Sequence, residues 1–152
     1  MDPSVSIRPA ESADTDAVLA LWRAGDVTPS PTDDREGLRR LLAAPHAALL
    51  VAVAGGDVVG TVIAGWDGWR GNIYRVAVHP DHRRRGTGRA LVVAANDVLA
   101  AFGARRISAL VDGDHAWAVG FWDALRGTGY ARDPAMVRYV SAVDQRRTAS
   151  TP

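Results

Sequence analysis

Val76-Ala77-Val78-His79-Pro80-Asp81-His82-Arg83-Arg84-Arg85-Gly86-Thr87-Gly88-Arg89-Ala90-Leu91 is the stretch on which the reading of this chain turns. It opens as an apolar, strand-like run and passes through a proline turn. Three arginines and two glycines then lead into a helix-like pattern. A strand, a glycine-rich turn and a helix N-terminus together make an anion site. The N–H groups of the turn converge on the anion, and the helix dipole adds partial positive charge. Glycine permits the positive φ and the close backbone approach that such a turn needs. The ligand expected here is a phosphate or pyrophosphate.

Two common phosphate loops do not fit. A Walker A loop needs a Lys-Ser/Thr pair after its last glycine, and the chain contains no lysine. A dinucleotide fingerprint needs G-x-G-x-x-G, but Leu91 stands at the last position. It also needs an acidic residue at the end of the next strand, about 20 residues on. The next strand candidate here ends at Val111-Asp112, beyond a long helix. Arg83-Arg84-Arg85-Gly86-Thr87-Gly88 instead resembles the Arg/Gln-x-x-Gly-x-Gly/Ala loop of the GCN5-related N-acetyltransferase (GNAT) family, which cradles the pyrophosphate of coenzyme A. The preceding Val78-His79-Pro80-Asp81-His82 is similar to the end of that family's fourth strand. Gly60-Thr61-Val62-Ile63-Ala64-Gly65-Trp66-Asp67-Gly68 resembles its third strand and following turn. Ala118-Val119-Gly120-Phe121-Trp122-Asp123-Ala124-Leu125, followed by Gly129-Tyr130, resembles its A-x-x-F-Y-x-x-L-G-[FY] segment. The order of elements matches from Val5 to about Val140.

Composition sets outer limits. A chain of 152 residues with 47% apolar and 23% charged residues is expected to fold as one globular domain, 1–143, with a polar, disordered tail at 144–152. With a net charge of +1, no global field draws the chain to nucleic acid or membrane. The arginine run is short and has no interleaved aromatics, so nucleic-acid binding is not expected. The absence of cysteine excludes disulfides, thiolate metal sites and a cysteine nucleophile. His79 and His82 lack a third ligand and an H-E-x-x-H pattern, so no metal is expected. Met1-Asp2-Pro3-Ser4 has neither a basic region nor an apolar core of a signal peptide, and no apolar run spans a bilayer. A cytoplasmic protein is expected.

The periodicities predict strands at Val5–Arg8, Ala48–Ala54, Val58–Gly65, Asn72–Val78, Arg106–Val111 and Ala135–Val143, with a short further one near Tyr130. They predict helices at Asp14–Ala24, Asp34–Leu42, Gly88–Gly103 and His115–Leu125. Gly55-Gly56-Asp57 reads as a hairpin turn. Asp26–Asp33 reads as a proline-rich loop and Trp66–Gly71 as a turn. This is a mixed α/β pattern with an antiparallel front half.

The resemblance implies an α/β (α+β) domain with a mixed sheet of six to seven strands and about four helices, splayed between strands four and five where the thioester enters. It implies acetyl-coenzyme A as cosubstrate and direct attack by a primary amine of a small molecule or peptide. A homodimer is compatible with it. The pantetheine arm is expected along the backbone of Val76, Ala77 and Val78, with the Val78 N–H polarising the thioester oxygen. Arg83, Arg84, Arg85, Gly86, Thr87, Gly88 and Arg89 are expected to hold the pyrophosphate. The catalytic positions depart from the family pattern. Trp122 stands where many members have a tyrosine that protonates the leaving thiolate, and indole N–H is not a usable acid. His115 stands where many have asparagine; imidazole is the side chain that titrates closest to neutrality. Tyr74 stands where some have a glutamate base. Asp67, Asp112 and Asp114 are candidates to act through water. The variable loops Asp26–Asp33 and Trp66–Gly71 are expected to shape the acceptor pocket, with Trp66, Trp69 and Asp67 suited to a cationic amine. A non-catalytic acyl-coenzyme A sensor of the same fold is the alternative.

Overall fold

In the computed structural model, which describes residues 2–125 and 127–143, the strand-patterned runs pair in chain order. β1 (Val5–Pro9), β2 (Ala47–Ala54), β3 (Asp57–Trp66), β4 (Gly71–Val78) and β5 (Ile107–Ala109) form one five-stranded sheet in the order β1-β2-β3-β4-β5. The first four are antiparallel neighbours and β5 joins β4 in parallel. The hairpin between β2 and β3 turns on Gly55 and Gly56, at φ 58° and 90°, so that Ala54 faces Asp57. Two consecutive left-handed residues match the twist of the flanking strands.

The helices cover both faces of the sheet. α3 (Thr87–Phe102) lays Leu91, Val92, Ala95 and Leu99 onto a core shared with Leu50, Val62, Ala64 and Ile73. α4 (Ala116–Ala124) follows β5, and Leu125 just after it closes the same core. On the opposite face, α1 (Thr15–Ala24) and α2 (Arg35–Ala43) bury Val18, Trp22 and Leu38 against Leu49, Val51 and Ala77. The spacing of Leu91, Ala95 and Leu99 is that of a single helical face. Asp34 caps α2, its carboxylate accepting from the Gly37 N–H at 2.6 Å.

The sheet has five strands where the sequence pattern predicts six to seven. Ala135–Val143 alternates like a strand, yet no strand forms within 127–143, near Tyr130 or beyond it. Strand propensity reports fitness for a pleated, half-buried surface rather than an intrinsic backbone preference. Here Met136, Val137, Tyr139, Val140 and Val143 are all exposed and have no neighbouring strand to supply backbone partners. β5 is likewise shorter than the predicted Arg106–Val111, because its partner turns away. β4 pairs with it only from Gly71 to Ile73. The predicted tail at 144–152 lies outside the described residues.

Candidate active site

The parting of β4 from β5 originates in a bulge. Thr61 of β3 faces Ala77 and Ile63 faces Tyr74, so β4 spends one extra residue across this interval. Arg75 absorbs it in the left-handed region, at φ 52°. The consequence can be followed through the hydrogen bonds. Before the bulge, odd-numbered residues face β5: Gly71 N–H donates to the Arg106 carbonyl and the Ile73 carbonyl accepts from Leu110. After it, His79 N–H donates to Val59 on β3. Alternation along the strand therefore turns the N–H groups of Val76 and Val78 away from β3, into the gap.

Side chains that the sequence reading did not single out hold this bulge. The Trp22 indole N–H donates to Thr61 Oγ1 at 2.9 Å in the core, and that hydroxyl donates to the Arg75 carbonyl at 3.0 Å. The Arg75 guanidinium packs 5.3 Å from the Trp22 ring centroid. It donates twice to Asp33, at 2.8 and 2.6 Å, and once to the Thr28 carbonyl at 2.9 Å. Both partners of the ion pair are largely shielded, at 19% and 16% side-chain exposure. The pair ties the 26–33 loop to the bulge. No spacing rule anticipates a positive φ at an arginine in a strand.

Beyond β4 a short 3₁₀ turn, Pro80–His82, leads into the glycine-rich loop. Gly86 sits at the N-terminus of α3 with φ 79°, and Arg84 two residues earlier is also left-handed, at φ 61°. Among the described residues, no backbone acceptor takes the amides of Arg84 to Gly88. The Thr87 hydroxyl is buried there without a partner. A cradle of unpaired N–H groups and a buried hydroxyl at a helix N-terminus is what a phosphate group completes. The arginines of the run divide. The Arg83 Nε donates to the Val78 carbonyl at 3.1 Å and its Nη2 to the Gly25 carbonyl at 3.2 Å, while its guanidinium lies 4.8 Å from the Trp117 ring. Arg85 turns to Asp2, 3.5 Å away. Arg84 is exposed. Gly88 faces inward: a Cβ there would lie 2.9 Å from Phe121 Cε2.

The gap opens into a cleft of about 1100 Å³. Tyr74, Val76, His115 and Trp122 all line it, so the structure gathers the predicted catalytic positions on one cavity. His115 stands at the N-cap of α4. Its Nε2 lies 3.1 Å from Thr28 Oγ1 and 3.7 Å from Asp112 Oδ2, and the Thr28 hydroxyl donates to that same carboxylate. With the Thr28 proton committed to Asp112, the hydroxyl oxygen accepts from Nε2–H, which leaves the lone pair on Nδ1. The Thr28 bond, then the Asp114 backbone N–H, hold the Asp112 carboxyl below its ordinary value. Burial raises the Tyr74 hydroxyl above its ordinary value, so it stays neutral. Trp122 stacks edge-on against Tyr130, 4.9 Å between centroids, and Tyr130 donates to Asn96 at 2.6 Å. Burial pushes the Tyr130 hydroxyl to about 12.

The turn at Trp66–Gly71, expected at the acceptor pocket, lies elsewhere. Trp66, Trp69 and Arg70 line a separate hollow of about 360 Å³ with Phe102. Asp67 is a turn cap: its Oδ1 accepts from the N–H groups of Trp69 and Arg70 at 2.8 and 2.7 Å. The predicted loop Asp26–Asp33 does line the cleft.

A sheet split beside a bulge and a glycine-rich helix start define an acyl-coenzyme A transferase fold. Residues 16–128 match the acetyltransferase (GNAT) family. An acetyltransferase of Pectobacterium atrosepticum is 34% identical over 121 residues, 80% of this chain and 86% of that protein. The chain belongs to the GNAT family and is an acetyltransferase by that membership. Among solved structures, an aminoglycoside N-acetyltransferase in complex with coenzyme A superposes with a TM-score of 0.73 at 19% identity, over 91% of this chain and 95% of that one. An aminoglycoside 6′-N-acetyltransferase from Acinetobacter haemolyticus gives 0.74 at 20% identity, over 91% and 99%. At these identities the likeness is one of fold.

Proposed function

We propose that this chain transfers an acetyl group from acetyl-coenzyme A to a primary amine of a small molecule or peptide. The observation that carries the reading is the continuity of the bulged, unpaired edge of β4 with the anion cradle at Gly86. Acetyl-coenzyme A supplies the activated acetyl carbon and a pyrophosphate by which it is held. Arg84 and the amides of the loop through Gly88 hold the pyrophosphate, with Thr87 Oγ1 as a further partner. Arg89, at the start of α3, adds positive charge. Arg83 shapes the cradle by tying the Val78 carbonyl to the end of α1. The backbone of Val76 and Val78 receives the pantetheine arm as an added strand would.

The amine nitrogen attacks the thioester carbonyl carbon, the new N–C bond forms, the C–S bond breaks, and the sulfur leaves as thiolate. Val78 N–H stabilises the charge that develops on the carbonyl oxygen. The ammonium proton passes to His115 Nδ1, with Asp112 and Thr28 fixing the ring. Trp122 and the neutral Tyr74 form cleft wall. No enzyme nucleophile takes part. A protein that bound the ligand without turnover would be a sensor, and one experiment separates the two. Acetyl-coenzyme A at about 100 times its Kd is expected to stabilise the fold by about 2.7 kcal/mol. Coenzyme A release is then measured with a panel of amino acids, polyamines, aminoglycosides and peptides. A flat thermal titration to millimolar ligand overturns the reading. A thermal shift without release on any amine makes the protein a sensor.

His115→Ala is expected to lower kcat by a factor on the order of 10²–10⁴, the range of a positioned base, with acetyl-coenzyme A affinity retained. The pH profile of kcat is expected to differ between the wild type and the variant. Superimposable pH profiles would remove His115 from the proton path.

A further inference from the structure

We infer that the acceptor amine carries an acidic group and that Arg138 receives it, an inference that rests on the transferase reading above. The cleft holds the arginines Arg40, Arg75 and Arg138 and the aspartates Asp26, Asp33 and Asp112. Most of this charge is already engaged. Arg75 is paired with Asp33 at 2.6 Å, and Arg40 Nε lies 2.8 Å from Glu36. Asp112 accepts from Thr28 and faces His115. Arg138, in contrast, forms no hydrogen bond or ion pair with a described residue. Arg138 and Val140 both line the cleft, on a segment whose side chains are otherwise open to solvent. The Arg138 charge is felt at both the Tyr74 hydroxyl and the Asp112 carboxylate, which line the same cleft.

A guanidinium with no direct hydrogen-bond or ion-pair partner at the wall of an open cleft can receive a carboxylate or phosphate in its fork. The same charge repels an acceptor bearing several ammonium groups. Asp26 remains on the opposite side of the balance for the reacting amine before it loses its proton. The cleft thus fits a zwitterion, with Tyr74, Trp117 and Trp122 accommodating an apolar body.

The test compares L-amino acids with their own amides and with spermidine, by coenzyme A release. At least one amino acid is expected to exceed its amide in kcat/KM by about tenfold or more, the worth of one charge-assisted pair. Arg138→Gln is expected to reduce that amino acid to the level of its amide through KM, and Arg138→Glu to turn the preference toward the amides and spermidine. A merely structural arginine would not invert selectivity. Preference for amides or spermidine by the wild type, or an undiminished preference for the acid in Arg138→Gln, overturns the inference while leaving the transferase reading intact. A protein that binds acetyl-coenzyme A but releases coenzyme A with no amine at all overturns both.

Discussion

Gly86→Glu is expected to weaken acetyl-coenzyme A binding by more than about a hundredfold. Two causes act together. Gly86 holds φ 79° at the first turn of α3, where a side chain costs on the order of 1 kcal/mol of backbone strain. A carboxylate at this place also competes for the N–H groups and repels the pyrophosphate; a lost charge-assisted bond alone is worth about 1.5–3 kcal/mol. Gly86→Asn separates the two, since asparagine tolerates the left-handed region and brings no charge. It is expected to bind within about tenfold of wild type. Titration calorimetry on the folded variants reads the result. A folded Gly86→Glu with wild-type affinity would show that the cradle is not where the phosphates sit. Gly88→Glu is not an equivalent probe. The Cβ it adds would meet Phe121 at 2.9 and 3.2 Å, so its expected effect is loss of stability through displacement of α4.

The contrast between these two glycines shows what the sequence can carry. The spacing R-x-x-G-x-G located the loop, and the apolar periods located the four helices and the first four strands to within a residue or two at each end. The order of those elements then fixed the side of the sheet on which the loop must open. Spacing does not reveal which way a side chain turns. Arg83 and Arg85 read as phosphate ligands, and the fold instead bonds one to the Val78 and Gly25 carbonyls and faces the other to Asp2. The Trp66–Gly71 turn reads as a variable acceptor loop whose aromatics and acid suit a cationic amine, but its acid is consumed capping the turn itself. Ala135–Val143 carries a strand pattern, yet a strand also needs a partner, and that is a property of the whole sheet. Thr28, Asp33, Thr61 and Arg75 are individually unremarkable in the sequence. They become a unit only because a bulge brings the β4 backbone to the 26–33 loop, over 42 residues of separation between Arg75 and Asp33.

That unit is the second place where a large effect is expected. Arg75→Met should lower kcat by about a hundredfold or more while changing acetyl-coenzyme A affinity by less than about tenfold, since oxyanion donors are typically worth 10²–10³ in rate. Methionine keeps bulk over Trp22 but removes the three bonds by which the guanidinium fixes Asp33 and Thr28. The left-handed conformation at position 75 then loses the tertiary contacts that hold it against its intrinsic cost, about 1–2 kcal/mol. As the bulge relaxes, the Val76 and Val78 N–H groups rotate away from the gap, and the Thr28 end of the His115–Asp112 cluster is released with them. The pyrophosphate cradle, beyond Pro80, is held by other contacts and stays. Stability should also fall, by about 1–3 kcal/mol, because Asp33 is left shielded and unpaired. Asp33→Leu combined with Arg75→Met separates the two consequences. Removing both charges relieves the orphaned carboxylate and restores much of the lost stability, but neither residue can then hold the bulge, and kcat should stay low. A double-mutant cycle in both stability and kcat is the measurement. Recovery of kcat along with stability would mean that the pair acts only through folding. Persistent loss of kcat in a stable double variant would establish the Arg75–Asp33 pair as the positioning device that links the acceptor loop to the reacting strand.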